Sequence, residues 1–159
     1  MKDEPAERLD PRAITLWRIT GLLNLFPLLI GAGFAAWALM RYGSVSSFVA
    51  VVPVLVVLAL GVVVVGVAPA LRWSRWRYEI RPDEIDLQRG ILWMGRTLVP
   101  LARIQHVDTR QGPLQRRFGL STVVFYTAAG PNQIPELSTP VAAEVRDRIA
   151  VLTGEQDEL

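Results

Sequence analysis

Residues 19–40 read ITGLLNLFPLLIGAGFAAWALM, and residues 48–71 read FVAVVPVLVVLALGVVVVGVAPAL. Neither stretch, 22 and 24 residues long, carries a charge. As helices at 1.5 Å per residue they would measure roughly 33–36 Å, enough to cross a ~30 Å hydrocarbon layer. The second stretch carries eleven valines, and valine is a mediocre helix former in water. In lipid, however, an unsatisfied backbone leaves only a helix or a closed barrel, and two segments cannot close a barrel. The fold is therefore decided first by two transmembrane helices, with residues 19–71 forming a hairpin.

Working outward, the link RYGSVSS (residues 41–47) is short enough to force the two helices antiparallel. Basic residues number four before the first span (Lys2, Arg8, Arg12, Arg18), one in the link (Arg41) and four just after the second (Arg72, Arg75, Arg77, Arg81). That asymmetry predicts a multi-pass protein of the cell membrane with both termini in the cytoplasm. Trp17, Trp37, Tyr42, Trp73 and Trp76 lie at the span ends, where aromatic rings favour the headgroup layer. The first span is longer than a signal peptide's apolar stretch and follows an 18-residue mixed-charge leader, which argues against cleavage. No ionisable residue lies inside either span, so a proton relay or ion pathway has no parts. Asn24 and Pro27 interrupt the first span. Asn24 either bonds a carbonyl freed by Pro27 or makes a helix–helix contact beside Gly31/Ala35 and Ala32/Ala36.

Half of the 159 residues are apolar (51%), and the excess is concentrated in the two spans. With no cysteine, disulfides, thiolate zinc sites, iron–sulfur clusters and thiol catalysis are excluded. Residues 1–18 read as a cytoplasmic N-terminal segment, 72–154 as a domain, and 155–159 as an acidic tail. From Trp76 the apolar period falls to two, with Tyr78, Ile80, Ile85 and Leu87 alternating with charges around a Pro82-Asp83 turn. Further strands are expected over Arg96–Leu101, Ile104–Arg110, Ser121–Thr127 and Gln133–Leu137, with turns at Arg89-Gly90 and Met94-Gly95. Leu114–Leu120 reads as a basic turn or helical loop. Ser121–Thr127 is apolar on both faces and so the most central strand, while Pro135 confines the last strand to an edge or a bulge. A closing helix starts with Thr139 as N-cap and Pro140 at its first position. Its stripe is Val141, Val145, Ile149 and Leu152, with a Glu144–Arg148 pair and a stop at Gly154. The predicted fold class is thus a membrane α-helical hairpin followed by a mainly β, α+β domain: a bent antiparallel sheet or open barrel capped by a C-terminal helix.

Two spans, an Arg/Trp-rich junction and then RYEIRPDEIDLQRGILWMGRTLVPLARIQHVDTRQGPLQRRFGLSTVVFYTAAG (residues 77–130) together carry a resemblance. The chain resembles the bacterial and archaeal membrane-flanked, pleckstrin-homology-like (PH-like) domain family, the small YdbS-type membrane proteins. The carrying residues are Ile104–Val107 and Gln111–Leu120, within a likeness running from about Ile19 to Leu152. The resemblance implies a PH-like fold and, as partner, a larger membrane protein bearing copies of the same domain. It implies no reaction.

His106, the sole histidine, has Asp108 on the same strand face, but no nucleophile stands at a known spacing. Asp83, Glu84 and Asp86 form an acidic group at a turn, read as a solvated hairpin end rather than a cation site. No phosphate loop or hydrolase motif occurs. The predicted chain is not an enzyme and needs no cofactor or metal. Where lipid-binding PH domains clamp phosphates with basic residues, the first hairpin turn here reads Arg81-Pro82-Asp83-Glu84. From Arg72 onward twelve arginines face eleven acids, too balanced a field to draw nucleic acid.

Two basic features remain. Arg72, Trp73, Arg75, Trp76 and Arg77 are the expected membrane-interface residues. Gln115, Arg116, Arg117 and Phe118 are candidate partner-binding residues, with the rival reading that Leu114, Phe118 and Leu120 plug the barrel mouth and leave the arginines solvated. The expected function is a non-enzymatic, membrane-anchored module contacting another membrane protein with related domains. The alternative is binding of anionic lipid or a small ligand, and a homo-oligomer is also compatible with these residues. An open PH-like sheet leaves one edge available for pairing.

Overall fold

The computed structural model describes residues 4–43 and 45–157. The chain divides into two compact units, residues 17–70 and a second built from residues 1–16 with 71–159.

In the first unit, helix α1 (Arg12–Tyr42) is followed by α2 (Ser47–Gly61), a π-helical stretch (Val62–Val67) and α3 (Ala68–Arg75), with no break between the last three. Large apolar side chains such as Phe26, Phe34, Leu55 and Val62 face outward, while Ala32, Ala36 and Ala50 are buried. This inversion is what a lipid solvent requires, since small residues let helix backbones approach while bulky ones meet acyl chains. Gly61 illustrates the closeness: a Cβ there would stand 2.6 Å from Leu25 Cδ2. The π-helical stretch has a local cause. Pro69 lacks an N–H and its ring crowds the carbonyl four residues back, so the helix widens just before it. The Ala68 N–H accordingly reaches back five residues to Val63 O. Within the widened turn the Gly66 carbonyl accepts a hydrogen bond from Arg18 Nη2 at 3.4 Å. Asn24 is exposed. At the other end Trp37 packs on Phe34 and edge-on against Tyr42, with Arg41 over the Tyr42 ring.

The second unit contains two antiparallel sheets that are not closed into a barrel. Strands β1 (Glu7–Arg8), β2 (Arg77–Ile80), β3 (Glu84–Arg89) and β4 (Gly95–Pro100) pair in that order. A 3₁₀ turn, Leu101–Arg103, leads to β5 (Ile104–Arg110). Helix α4 (Pro113–Phe118) then separates β5 from β6 (Leu120–Thr127) and β7 (Gly130–Ser138), and the second sheet has the order β5-β6-β7. Six consecutive buried residues on β6 mark it as the central strand, as its two-faced apolarity predicts. β7 lies at an edge and also carries a bulge, because Ser121 pairs with Leu137 while Val123 pairs with Ile134. Pro135 and Glu136 supply the extra residue, and Glu136 takes the left-handed φ of 53°.

Helix α5 (Thr139–Asp157) packs on β5, β6 and β7. Three expectations for it are corrected. Val141 points outward and Ala142 replaces it in the buried stripe with Val145 and Ile149. Arg148 donates to the Ile80 carbonyl at 3.2 Å rather than pairing with Glu144. The helix also runs through Gly154, since one glycine costs only about 1 kcal/mol in a helix that tertiary contacts hold.

Residues 7–16 differ most from the expectation of a separate leader. β1 extends the first sheet, and Leu9, Ala13 and Leu16 are buried with the domain core. α1 begins seven residues before the uncharged run, at Arg12, after Asp10 accepts the Arg12 N–H at 2.9 Å. Two residues of strand are too short to show a period, so this part of the core was hidden in the sequence.

Candidate functional site

The segment Gln111–Leu120 builds α4 from its own residues. Pro113 takes the first helical position, and the Gly112 N–H donates to Gln115 Oε1 at 2.9 Å, satisfying an otherwise orphaned amide. Gly119 ends the helix at φ 64°, a left-handed cap that glycine adopts without strain. Gln115 Nε2 donates to Thr122 Oγ1 (2.9 Å) and to Glu136 Oε2 (3.1 Å). Gln111 Nε2 donates to the Leu120 carbonyl and to Thr139 Oγ1. At the helix C-terminus the Phe118 carbonyl accepts from Arg12 Nη1 at 2.9 Å, and Arg12 is itself held by both Asp10 oxygens. The hydrogen bond from Arg12 keeps the Asp10 carboxyl below its usual range, against the opposing effect of burial.

Sequence reasoning grouped Gln115 with Arg116, Arg117 and Phe118, and the structure divides them. Gln115 is a structural cross-link and Phe118 is half-buried. Arg116 and Arg117 are exposed. Glu136, buried and left-handed at the far end of the Gln115 bridge, was missed. Its charge also acts on Arg72. Pro135 was the one sequence signal for the bulge that buries it.

The expected membrane-interface residues are likewise redistributed. Trp76 is 3% exposed and packs against Tyr78 in the domain core rather than offering its ring to headgroups. Trp73 is half-buried; its indole N–H donates to the Leu9 carbonyl at 2.9 Å, and Arg8 lies over its ring. Arg77 sits on β2, facing Glu4 at 3.9 Å. Arg75 donates to the Ile91 carbonyl. The junction therefore knits the domain to the chain leaving the span, using rings that the sequence alone assigned to lipid.

The acidic group is not a solvated hairpin end. Asp86 is fully buried on the face of β3 opposite Ile85 and Leu87, and Arg96 bonds it through Nε (3.0 and 3.1 Å) and Nη2 (2.6 Å). Arg81 reaches Glu79 at 2.7 Å and both Glu84 and Asp86 at 3.6 Å. That arginine, the one base in the first hairpin turn, is thus committed to three carboxylates and has no charge to spare for a phosphate. Among the described residues no cluster of three or more His, Asp or Glu could hold a metal ion. His106 is exposed, stacked 4.2 Å from Tyr126, with Asp108 at 3.9 Å, beyond hydrogen-bond reach. Arg110 covers the same tyrosine ring. A cavity of about 360 Å³ lies between β5 and α5, lined by Ile104, His106, Arg146 and Thr153 among others.

One surface was not singled out in the sequence. The β3–β4 loop carries four consecutive apolar residues, Ile91-Leu92-Trp93-Met94, between Gly90 and Gly95. Leu92 and Trp93 are 82% and 84% exposed. Four apolar residues inside a predicted turn were the available signal, obscured by the turn residues on either side.

The comparisons agree with this architecture. The bacterial PH domain family model matches residues 14–153. UPF0699 transmembrane protein YdbS of Bacillus subtilis (strain 168) is 35% identical over 159 residues, covering 99% of each chain. UPF0699 transmembrane protein YdbT of the same organism is 28% identical over 94 residues, 58% of this chain and 19% of that protein. No solved structure matches the chain. Two apolar helices joined to an open, helix-capped pair of antiparallel sheets, with a family match spanning nearly the whole length, make this chain a membrane protein of the bacterial PH domain family.

Proposed function

We propose that the chain is a non-enzymatic, membrane-anchored PH-like module that binds another membrane protein carrying related PH-like domains, through Arg116 and Arg117. The observation that carries this reading is the presentation of that pair. α4 is pinned at one end by Gln115 and at the other by Arg12, so two exposed guanidinium groups project from a rigid base. A rigid base lowers the entropy lost on contact, and guanidinium forks recognise carboxylates with defined geometry. The size difference between the two relatives supports the choice of partner: the second is much longer and shares only a domain-sized stretch with this chain. Confinement to one membrane raises the effective concentration of two such modules, so a modest contact suffices. The count of basic residues around the spans supports cytoplasmic termini and a cell-membrane location as part of this reading.

The test is co-purification in mild detergent of the tagged full-length chain with the larger related membrane protein of its own organism. Arg116→Ala/Arg117→Ala should reduce recovery about tenfold, the scale of one interface hot spot. Recovery equal to that of the unaltered chain, with the variant folded, would refute the assignment.

A further inference from the structure

We propose that the β3–β4 loop is a lipid-inserting element, with Leu92, Trp93 and Met94 entering the interfacial layer of the same bilayer that the two helices cross. The domain would then be attached to its membrane at two points, and its orientation on the surface fixed.

Three observations lead to this occupant. The first is the loop's chemistry. A tryptophan between a leucine and a methionine, all outward, matches the preference of amphipathic rings for the headgroup layer with aliphatic chains just below it. The second is that the loop is a built shape. Gly90 adopts φ 144°, and a Cβ there would collide with the Trp93 carbonyl oxygen, so the chain crosses itself tightly and holds residues 92 and 93 outward.

The third is position. The uncharged run ends at Leu71, and Arg75, four residues on in α3, donates to the Ile91 carbonyl. Four helical residues advance about 6 Å, whereas the headgroup layer is roughly 5–8 Å deep on each side. The loop is therefore hydrogen-bonded to a residue at headgroup depth. Arg72 and Arg89 line the same cleft as Ile91, so cations flank the apolar tip where anionic headgroups would lie. A bilayer is within reach of this loop at all times, whereas a protein occupant would have to arrive at the point where the chain leaves the lipid.

The absence of cysteine makes the test direct. Full-length Trp93→Cys and, as a control in the exposed β6–β7 turn, Ala128→Cys are labelled with an environment-sensitive nitrobenzoxadiazole dye. They are reconstituted below one copy per vesicle in phosphatidylcholine with a minor share of phosphatidylglycerol. The label at position 93 should emit to the blue of the label at 128 and be quenched by lipids spin-labelled near the headgroup. The label at 128 should be quenched by iodide supplied on both sides. Leu92→Cys serves as a second reporter should Trp93→Cys fail to fold by circular dichroism. Equal iodide quenching at both sites would overturn the proposal. Shielding that appears only at high protein density would overturn it as well, by assigning the loop to a second copy of the chain.

Discussion

Leu9 tests whether residues 4–16 belong to the domain core. It is 2% exposed, and its carbonyl accepts the Trp73 indole N–H. Leu9→Ala removes three carbons' worth of buried apolar surface, about 2.4 kcal/mol at ~0.8 kcal/mol per methylene, and the unfilled space adds to that. A total near 3 kcal/mol is a large part of the 5–15 kcal/mol that hold a typical domain together. For a unit of roughly 100 residues, a loss of that size lowers Tm by about 12 °C or more. The assay is thermal unfolding of the detergent-solubilised full-length chain, followed by near-ultraviolet circular dichroism from the domain's tryptophans. Val151→Ala on α5 is the control: it deletes two carbons from a site 60% exposed and should leave Tm within about 2 °C. Equal shifts for the two variants, or a negligible shift for Leu9→Ala, would refute the idea that the leader completes the core. The same reasoning implies that a fragment starting at Trp76 lacks part of its own interior.

Three further outcomes are expected. Gly90→Ala should destabilise the β3–β4 hairpin by about 1–3 kcal/mol through strain at its positive φ, seen as a lower Tm and faster proteolysis within residues 89–95. Arg96→Leu should unfold the domain at lower temperature than the double variant Asp86→Leu/Arg96→Leu, because only the single change leaves a buried carboxylate without its close partner, with Arg81 no nearer than 3.6 Å; the reverse order in a double-mutant cycle would refute this. Asp10 is more acidic folded than unfolded, so the stability it contributes is present above the ordinary carboxylate range and is lost as pH falls through its lowered pKa. Asp10→Asn should therefore lower Tm at neutral pH, and the difference from the unaltered chain should shrink below about pH 4.

The legible parts of this protein were those encoded by local pattern. Two uncharged runs fix two helices because lipid permits no other backbone arrangement. Period-two alternation located β2 and β3, apolarity on both faces marked β6 as central, and Pro135 pointed to an edge or a bulge in β7, where both occur. The candidate site was legible only as a segment. Its spacing could not show that Gln115 turns inward to Thr122 and Glu136 while Arg116 and Arg117 face solvent, since one turn of helix separates roles that lie next to each other in sequence.

What the sequence determined by itself is the membrane hairpin, the strand-rich domain and the helix that closes it, because each follows from a periodicity or from the solvent that a segment must meet. Only the tertiary structure decided that Leu9 and Trp76 are core, that Asp86 is a buried ion-pair centre, and that Leu92–Met94 stand exposed next to the Ile91 carbonyl held by Arg75. Those outcomes depend on which distant segments come together. A tryptophan near a span end has the same local sequence whether its ring meets a headgroup or a β-sheet, and the difference lies in partners such as Tyr78, beyond the reach of any periodicity.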